Sequence, residues 1–377
     1  MIYGELGASR TRRTVTATAG LLRALKLDGM LLSALVAVSL FGLFVLYSAA
    51  GDNMSMWLSQ LARFGIGFAI LIALSQVPDH FLRMLAPAVY VLGLVLLVLV
   101  AVAGDVGKGA QRWLDLGLVR FQPSEIMKLA VPMMCAWYLH QRPLPPSIRD
   151  VAVVLLVVVL PVALIAEQPD LGTALLVTAA GLIVLVMAGL SPVYLLGGLA
   201  VAGAAVPVLW HFLHDYQRQR VLTLLDPQSD ALGAGYHIIQ SQIAIGSGGV
   251  FGKGWTNGSQ AQLEFLPERS TDFIFAVIGE ELGLLGLIAL LIGYLFIVGR
   301  GLYMAMQCRD AFARLLAGSI ALTFFVYAFV NAGMVTGLLP VVGVPLPLVS
   351  YGGTSFVTLM AGFGILMSLY SSRKLVG

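Results

Sequence analysis

Successive apolar runs, each long enough to cross a lipid bilayer, constrain this chain more than any other feature. A helix needs roughly 20 apolar residues to span the hydrocarbon. Ten such runs can be marked, at about 29–50, 57–77, 81–103, 123–140, 150–168, 170–189, 192–213, 272–299, 311–337 and 350–370. Lipid cannot satisfy backbone N–H and C=O groups, so the spans are expected to be helices. Hydrophobic residues make up 59% of the 377 and charged residues 11%, where a soluble domain carries about 25% charged. With a mean hydropathy of +0.93, the sequence predicts an all-α polytopic membrane protein, one membrane domain over residues 1–377. Nucleic acid is not an expected partner.

Orientation follows from the basic residues in the loops. Residues 1–28 form a tail with Arg10, Arg12, Arg13, Arg23 and Lys26, and no small-residue cleavage site follows a short apolar core, so the first span is expected to be retained. With that tail inside, the inner segments add Arg83, Arg142, Arg149, Arg300, Arg309, Arg314, Arg373 and Lys374. The outer ones hold Lys108, Arg112, Arg120, Arg218, Arg220, Lys253 and Arg269. Both termini are therefore expected to be cytoplasmic, and the long polar stretch 214–271 to face outward. Cys135 and Cys308 show no metal-ligand spacing and are not expected to pair.

Acidic groups gather where that outer loop meets the eighth span. Between Gln262 and Gly283 stand Glu264, Glu268, Asp272, Glu280 and Glu281, five of only 19 acids in the chain, with Arg269. Ionisable groups at membrane depth are costly and mark functional sites by default. The blander alternative is that Ser270, Thr271 and Asp272 cap the next helix. Glu280 and Glu281, one to two turns inside the span, are expected to be paired or hydrogen-bonded within the bundle. Elsewhere, Ser124 can cap the fourth helix, with Glu125 in its first turn and Lys128 on the same face. Asp170, after Gln168-Pro169, can cap the sixth. Glu125, Asp170 and Asp272 all fall at outer span ends, so topology places them at one depth, where they could converge on an outward-facing cavity.

The outer loops supply further candidates. The sequence KGAQRWLDLGLVRFQPSE offers Arg112 as a fork for phosphate and Trp113 as an interfacial anchor. HDYQRQR offers Arg218 and Arg220. YHIIQSQIAI predicts an amphipathic helix on the membrane with Gln240, Ser241 and Gln242 on its wetter side. The glycines of GSGGVFGKGW, around Lys253, could let backbone N–H groups approach an anion, although no Walker frame fits. The five histidines show no ligand spacing. GLLPVVGVPLPLVSYGGTS, with its prolines and glycines, predicts a broken or re-entrant segment between the ninth and tenth spans.

Together these motifs resemble the SEDS family (shape, elongation, division and sporulation) of membrane-embedded peptidoglycan glycosyltransferases. The likeness is carried by GAQRWLDLG, FQPSE with Lys128, QPDLGT, DYQRQR, GAGYHIIQSQIAIGSGG, KGW, EFLPER-x-TDFIFA, EELG and GVPLPLVSYGG. FLPERSTDF, following GSGGVFGKGW, is similar to the elongation branch more than to the division branch, with Ser270 where a histidine commonly precedes the TDF triplet. The resemblance implies polymerisation of lipid II into β-1,4 glycan strands on the outer face of the bacterial cytoplasmic membrane. It places the essential acid at Asp272, and further functional positions at Glu125, Lys128 and Asp170. It also implies a class B penicillin-binding protein, a transpeptidase, as partner, beside other membrane proteins of the elongation complex.

The chemistry matches the residues. A sugar hydroxyl attacking lipid II needs a general base, which a partly desolvated carboxylate can provide, and Asp272 is the expected one. Arg112, Trp113, Arg218, Arg220, Gln240, Ser241, Lys253 and Glu264 are the candidate substrate contacts. A divalent cation, Mg²⁺ or Mn²⁺, could bridge carboxylate and pyrophosphate, but no complete ligand set can be read. The competing functions are a lipid II flippase, which would need a charged path to the cytoplasmic side, and a pure scaffold, which would leave the acids around Asp272 without a purpose.

Overall fold

The computed structural model describes residues 20, 22, 24–51, 53–107, 110–115, 120–212, 215–230, 233–263, 265–266 and 268–372. Arg10, Arg12, Arg13, Arg23, Lys108, Glu264, Arg373 and Lys374 lie outside them. Helices occupy every apolar run: α1 (Gly29–Ala49), α2 (Met54–Ser75), α3 (Asp79–Ala103), α4 (Pro123–Leu139), α5 (Ile148–Glu167), α6 (Leu171–Met187) and α7 (Pro192–Phe212). The outer loop contributes α8 (Asp215–Leu225) and α9 (Ala234–Gly248), and α10 (Ile274–Met306), α11 (Ala311–Val335) and α12 (Thr354–Ser371) follow. Seven of these, α1, α2, α3, α5, α10, α11 and α12, are long and apolar enough to cross a membrane. An exception to the all-α expectation is a three-stranded antiparallel sheet, β1 (Asp105–Gly107), β2 (Ala110–Asp115) and β3 (Arg120–Phe121), in the loop before α4.

The polar punctuation of the sequence sets the helix starts. Asp28 accepts from Leu31 N, Asn53 from Met56 N and Asp170 from Thr173 N, while Ser147 and Asp150 form a reciprocal capping box on α5. Ser124 does not cap α4. Pro123 takes the first helical position, where a missing N–H is harmless, and Gln122 precedes it as the cap residue. Cys135 and Cys308 are free and buried.

At the centre stands α11, packed against α4, α6, α10 and α12, while α12 lies along α2. Between α11 and α12 the expected broken segment is present: residues 340–346 are non-helical, yet Val344, Leu346, Leu348 and Val349 are buried. Buried backbone needs partners, and side chains provide them. Asn331 Nδ2 donates to Val344 O at 2.7 Å, Tyr294 Oη to Pro347 O at 2.6 Å, and Gln60 Nε2 to Ser350 O at 3.3 Å. Ser350 Oγ accepts from Leu346 N at 2.8 Å.

α10 is interrupted at Gly283 (φ 65°). A break of this kind leaves carbonyls and amides of adjacent turns without helical partners. Here the glycine-rich loop satisfies them: Lys253 N and Gly254 N donate to Glu280 O and Glu281 O, while Leu284 N and Leu285 N donate to Gly249 O and Val250 O. The glycines are required by the closeness of this exchange, since a Cβ at Gly248 or Gly252 would overlap the carbonyl oxygens of Gly279 and Glu281. The N–H groups of Lys253 and Gly254 are thus spent on α10 and do not form the anion cradle expected from the sequence.

Candidate active site

Asp272 lies just outside the helix: α10 begins after Phe273, which makes no side-chain capping bond. The loop holding it is pinned through its own carbonyls. Asn331 Nδ2 donates to Asp272 O at 2.8 Å, Ser350 Oγ to Thr271 O at 2.5 Å, and Tyr351 N to Ser270 O at 2.8 Å. The half-buried carboxylate faces the Pro-rich segment: a Cβ built on Gly343 would stand 3.6 Å from Asp272 Oδ2.

The same segment borders Asp170. A Cβ on Gly172 would lie 2.6 Å from Val342 O, so the start of α6 and the Asp272 loop flank residues 342–344. Asp170 Oδ1 caps α6 through Thr173 N, and its Oδ2 accepts from Gln122 Nε2 at 2.7 Å. Arg112 reaches in from β2, donating to Gln168 O at 3.1 Å and to Pro169 O.

One turn into α4, buried Glu125 accepts from Lys128 Nζ at 2.5 Å, and Lys128 also donates to Tyr327 Oη. Glu125 Oε2 is buried without a hydrogen-bond partner. Lys128 and Tyr327 border a small cleft of about 30 Å³ between α4, α11 and α12, whose other walls include Leu129, Pro132, Phe324 and Leu359. The three acids are therefore gathered around α11 and the segment after it, the arrangement that topology alone could only allow.

Of the remaining candidates, Trp113 is half-buried on β2 and Gln240 half-buried on α9. Arg218 donates to Trp210 O and His211 O at the end of α7, and Arg220 is half-buried and also has a partner. Glu264 lies outside the described residues. Two expectations need correction. Ser241 is fully buried rather than on the wetter side of α9, because its hydroxyl donates to Ile238 O and to Val335 O in the last turn of α11. Lys253 carries its charge into the fold, pairing with fully buried Glu280 at 2.7 Å.

Glu280 and Glu281 are tied into the loop. Glu280 also accepts from Ser259 Oγ and Gln260 N, and Glu281 Oε1 accepts from Ser48 Oγ at 2.6 Å. Among the described residues, no three acid, histidine or cysteine side chains converge as a metal site.

Sequence reasoning missed Asn331, Tyr327, Gln60, Tyr294 and Ser350. The signal was available: uncharged polar groups within apolar runs are also expensive in lipid and need stated partners.

The family model described as "Cell cycle protein" (FTSW_RODA_SPOVE) matches residues 25–375. The chain is 52% identical over 353 residues to the peptidoglycan glycosyltransferase MrdB of Escherichia coli K12, covering 93% of this chain and 95% of that one. It is 36% identical over 363 residues to the probable peptidoglycan glycosyltransferase FtsW of Geobacter metallireducens, covering 92% and 95%. Among solved structures, it matches a chain of "Structural coordination of polymerization and crosslinking by a peptidoglycan synthase complex" with a TM-score of 0.82, 34% identity, and coverage of 92% and 98%. It matches the rod shape determining protein RodA of Thermus thermophilus with a TM-score of 0.70, 30% identity, and coverage of 92% and 97%.

Proposed function

The chain belongs to the SEDS (FtsW/RodA) family, and we propose that it polymerises lipid II into β-1,4 glycan strands with Asp272 as the general base. It is a peptidoglycan glycosyltransferase of the multi-pass inner-membrane type, on the elongation side of the family. The observation that carries the assignment of Asp272 is its mounting: a half-buried carboxylate on a loop bonded to α11 and to residues 350–351.

In the proposed step, Asp272 takes the proton from the 4-hydroxyl of an acceptor GlcNAc. The oxygen bonds to the donor's anomeric carbon as the bond to pyrophosphate breaks, and the electron pair leaves with the lipid pyrophosphate. Attack opposite the leaving group inverts an α-linked donor to the β linkage. Arg112, Arg218 and Arg220 are the cations proposed to meet the developing charge, and Trp113 and Gln240 to border the substrate. Ser241 and Lys253 support the loop from within. Glu125 and Lys128 hold the site from below, and Asp170 anchors its α6 side. A Mg²⁺ or Mn²⁺, where one acts, would draw most of its ligands from pyrophosphate and water, and no step depends on it.

The wider frame is part of the same reading: ten crossings in one membrane domain, both termini cytoplasmic, residues 214–271 and the active site facing the periplasm. A class B penicillin-binding protein is the proposed partner, in company with other membrane proteins of the elongation complex. This reading is favoured over a flippase because Asp170 and Asp272 flank one segment, residues 342–344. Purified protein, alone and with an active-site-blocked transpeptidase, should build glycan from lipid II. Movement of lipid II across vesicles without polymer would instead favour transport.

A further inference from the structure

Beside the 268–272 loop lies an open, largely polar cleft of about 720 Å³, lined by Asn53, Gln262, Arg269 and Ser270 together with Met56 and the end of α1. Its walls are fixed. Arg269 Nε donates to Ala49 O at 2.9 Å and Nη1 to Ala261 O, and Asn53 Oδ1 caps α2 through Met56 N. A second cleft of about 160 Å³ adjoins it, sharing Ala50, Gly51 and Asn53, and is lined by Tyr47 and Trp57. Tyr47 is held between Trp255, stacked at 5.5 Å, and Trp57, edge-on at 6.5 Å, yet remains 43% exposed. Amides and a hydroxyl beside a rigid, exposed aromatic ring suit a pyranose, whose edge carries hydroxyl and acetamido groups and whose face is apolar. The mostly polar lining of the larger cleft does not suit a lipid tail.

We propose that Tyr47 and Asn53, together with Gln262 and Ser270, form a saccharide track that holds glycan beyond the sugars reacting at Asp272. This rests on the polymerase reading, and it assigns the track to lipid-free β-1,4-linked amino-sugar chain. Ser270 stands two residues before Asp272, so chain seated there enters or leaves by the reacting loop.

The test uses full-length protein in nanodiscs and a fluorescent, lipid-free GlcNAc–MurNAc tetrasaccharide, with anisotropy as the binding signal and gel-resolved strand length as the second readout. Asn53→Ser keeps the helix cap but withdraws the amide, and Tyr47→Leu keeps apolar bulk but removes the ring. Each is expected to bind the tetrasaccharide at least fivefold more weakly and to yield shorter strands, with the elution profile of wild type. Asp272→Ala should bind the tetrasaccharide as wild type does while making no polymer. Absence of binding by wild type, or equal binding by both track variants, would overturn the track and leave the polymerase reading in place. A wild type that makes no polymer would remove the polymerase reading itself, whatever the binding shows.

Discussion

Tyr327 and Asn331 lie four residues apart on one face of α11; the first accepts from Lys128, and the second donates to the carbonyls of Asp272 and Val344. Both are buried, at 2% and 0% exposure. A single helical turn thus links the Glu125–Lys128 pair, the Pro-rich segment and the proposed base. Displacing that turn would move all three.

Replacing Asn331 with leucine should unfasten the base while leaving the helix apolar. The buried Val344 carbonyl loses its donor, at about 1–3 kcal/mol, the part-buried carbonyl of Asp272 loses its donor too, and Asp272 loses its fixed position. We expect lipid II polymerisation to fall by roughly 10- to 100-fold, in line with the cost of misplacing a reacting group by about 1 Å, with a lowered melting temperature. Polymerisation at the wild-type rate would show that the loop is held well enough by Ser350 and Tyr351 alone.

The buried pair on α4 predicts a rescue. Lys128→Met leaves Glu125 charged and unpaired, which costs about 3–5 kcal/mol. Removing the second charge as well, in Glu125→Gln/Lys128→Met, should restore most of the melting temperature and at least a tenth of the activity, because the pair holds the site rather than reacting. A double variant that is stable but wholly inactive would give the pair a direct part in the chemistry.

Glycine substitutions separate backbone crossing from mere flexibility. Gly252→Ala forces a Cβ against Glu281 O at a φ of 79° and should cost roughly 3 kcal/mol or more, combining overpacking with backbone strain. Gly246→Ala, in the last turn of α9, meets nothing within 4 Å and should be tolerated. Comparable expression and melting of both variants would contradict the exchange of hydrogen bonds at the break in α10.

His237 gives a pH dependence with a defined sign. Burial lowers its pKa from the ordinary 6.5, against the opposing fields of Glu268 and Asp230, and its ring stacks on Phe273 beside the base. The unfolded chain therefore takes up the proton first as pH falls below about 6.5, and stability drops until the folded protein is protonated too. Melting temperatures at pH 7.5 and 5.5 should diverge more for wild type than for His237→Gln. An unchanged divergence would place the titration elsewhere.

Much of this architecture was legible because lipid imposes long apolar runs and caps mark their ends; Asp28, Asn53 and Asp170 cap the helices they precede. The gathering of Glu125, Asp170 and Asp272 was legible only as a shared depth. What joins them is a set of uncharged groups, Tyr327, Asn331 and Ser350, whose importance comes from backbone they satisfy far away in sequence. Local reading failed in the same way for Ser241 and Lys253. Each looked exposed on its own segment, and each is claimed by a partner supplied by tertiary packing, the Val335 carbonyl and Glu280. The sheet at 105–121 was missed because its strands are short and embedded in a loop read only for its charges.

The most direct test of the central claim is glycan formation from lipid II by wild type and Asp272→Ala, each with its transpeptidase partner blocked at the active site. The account predicts polymer from wild type and none from the variant, with both eluting and melting alike. Equal polymer from the two would remove Asp272 as the base and turn attention to Glu125 and Asp170.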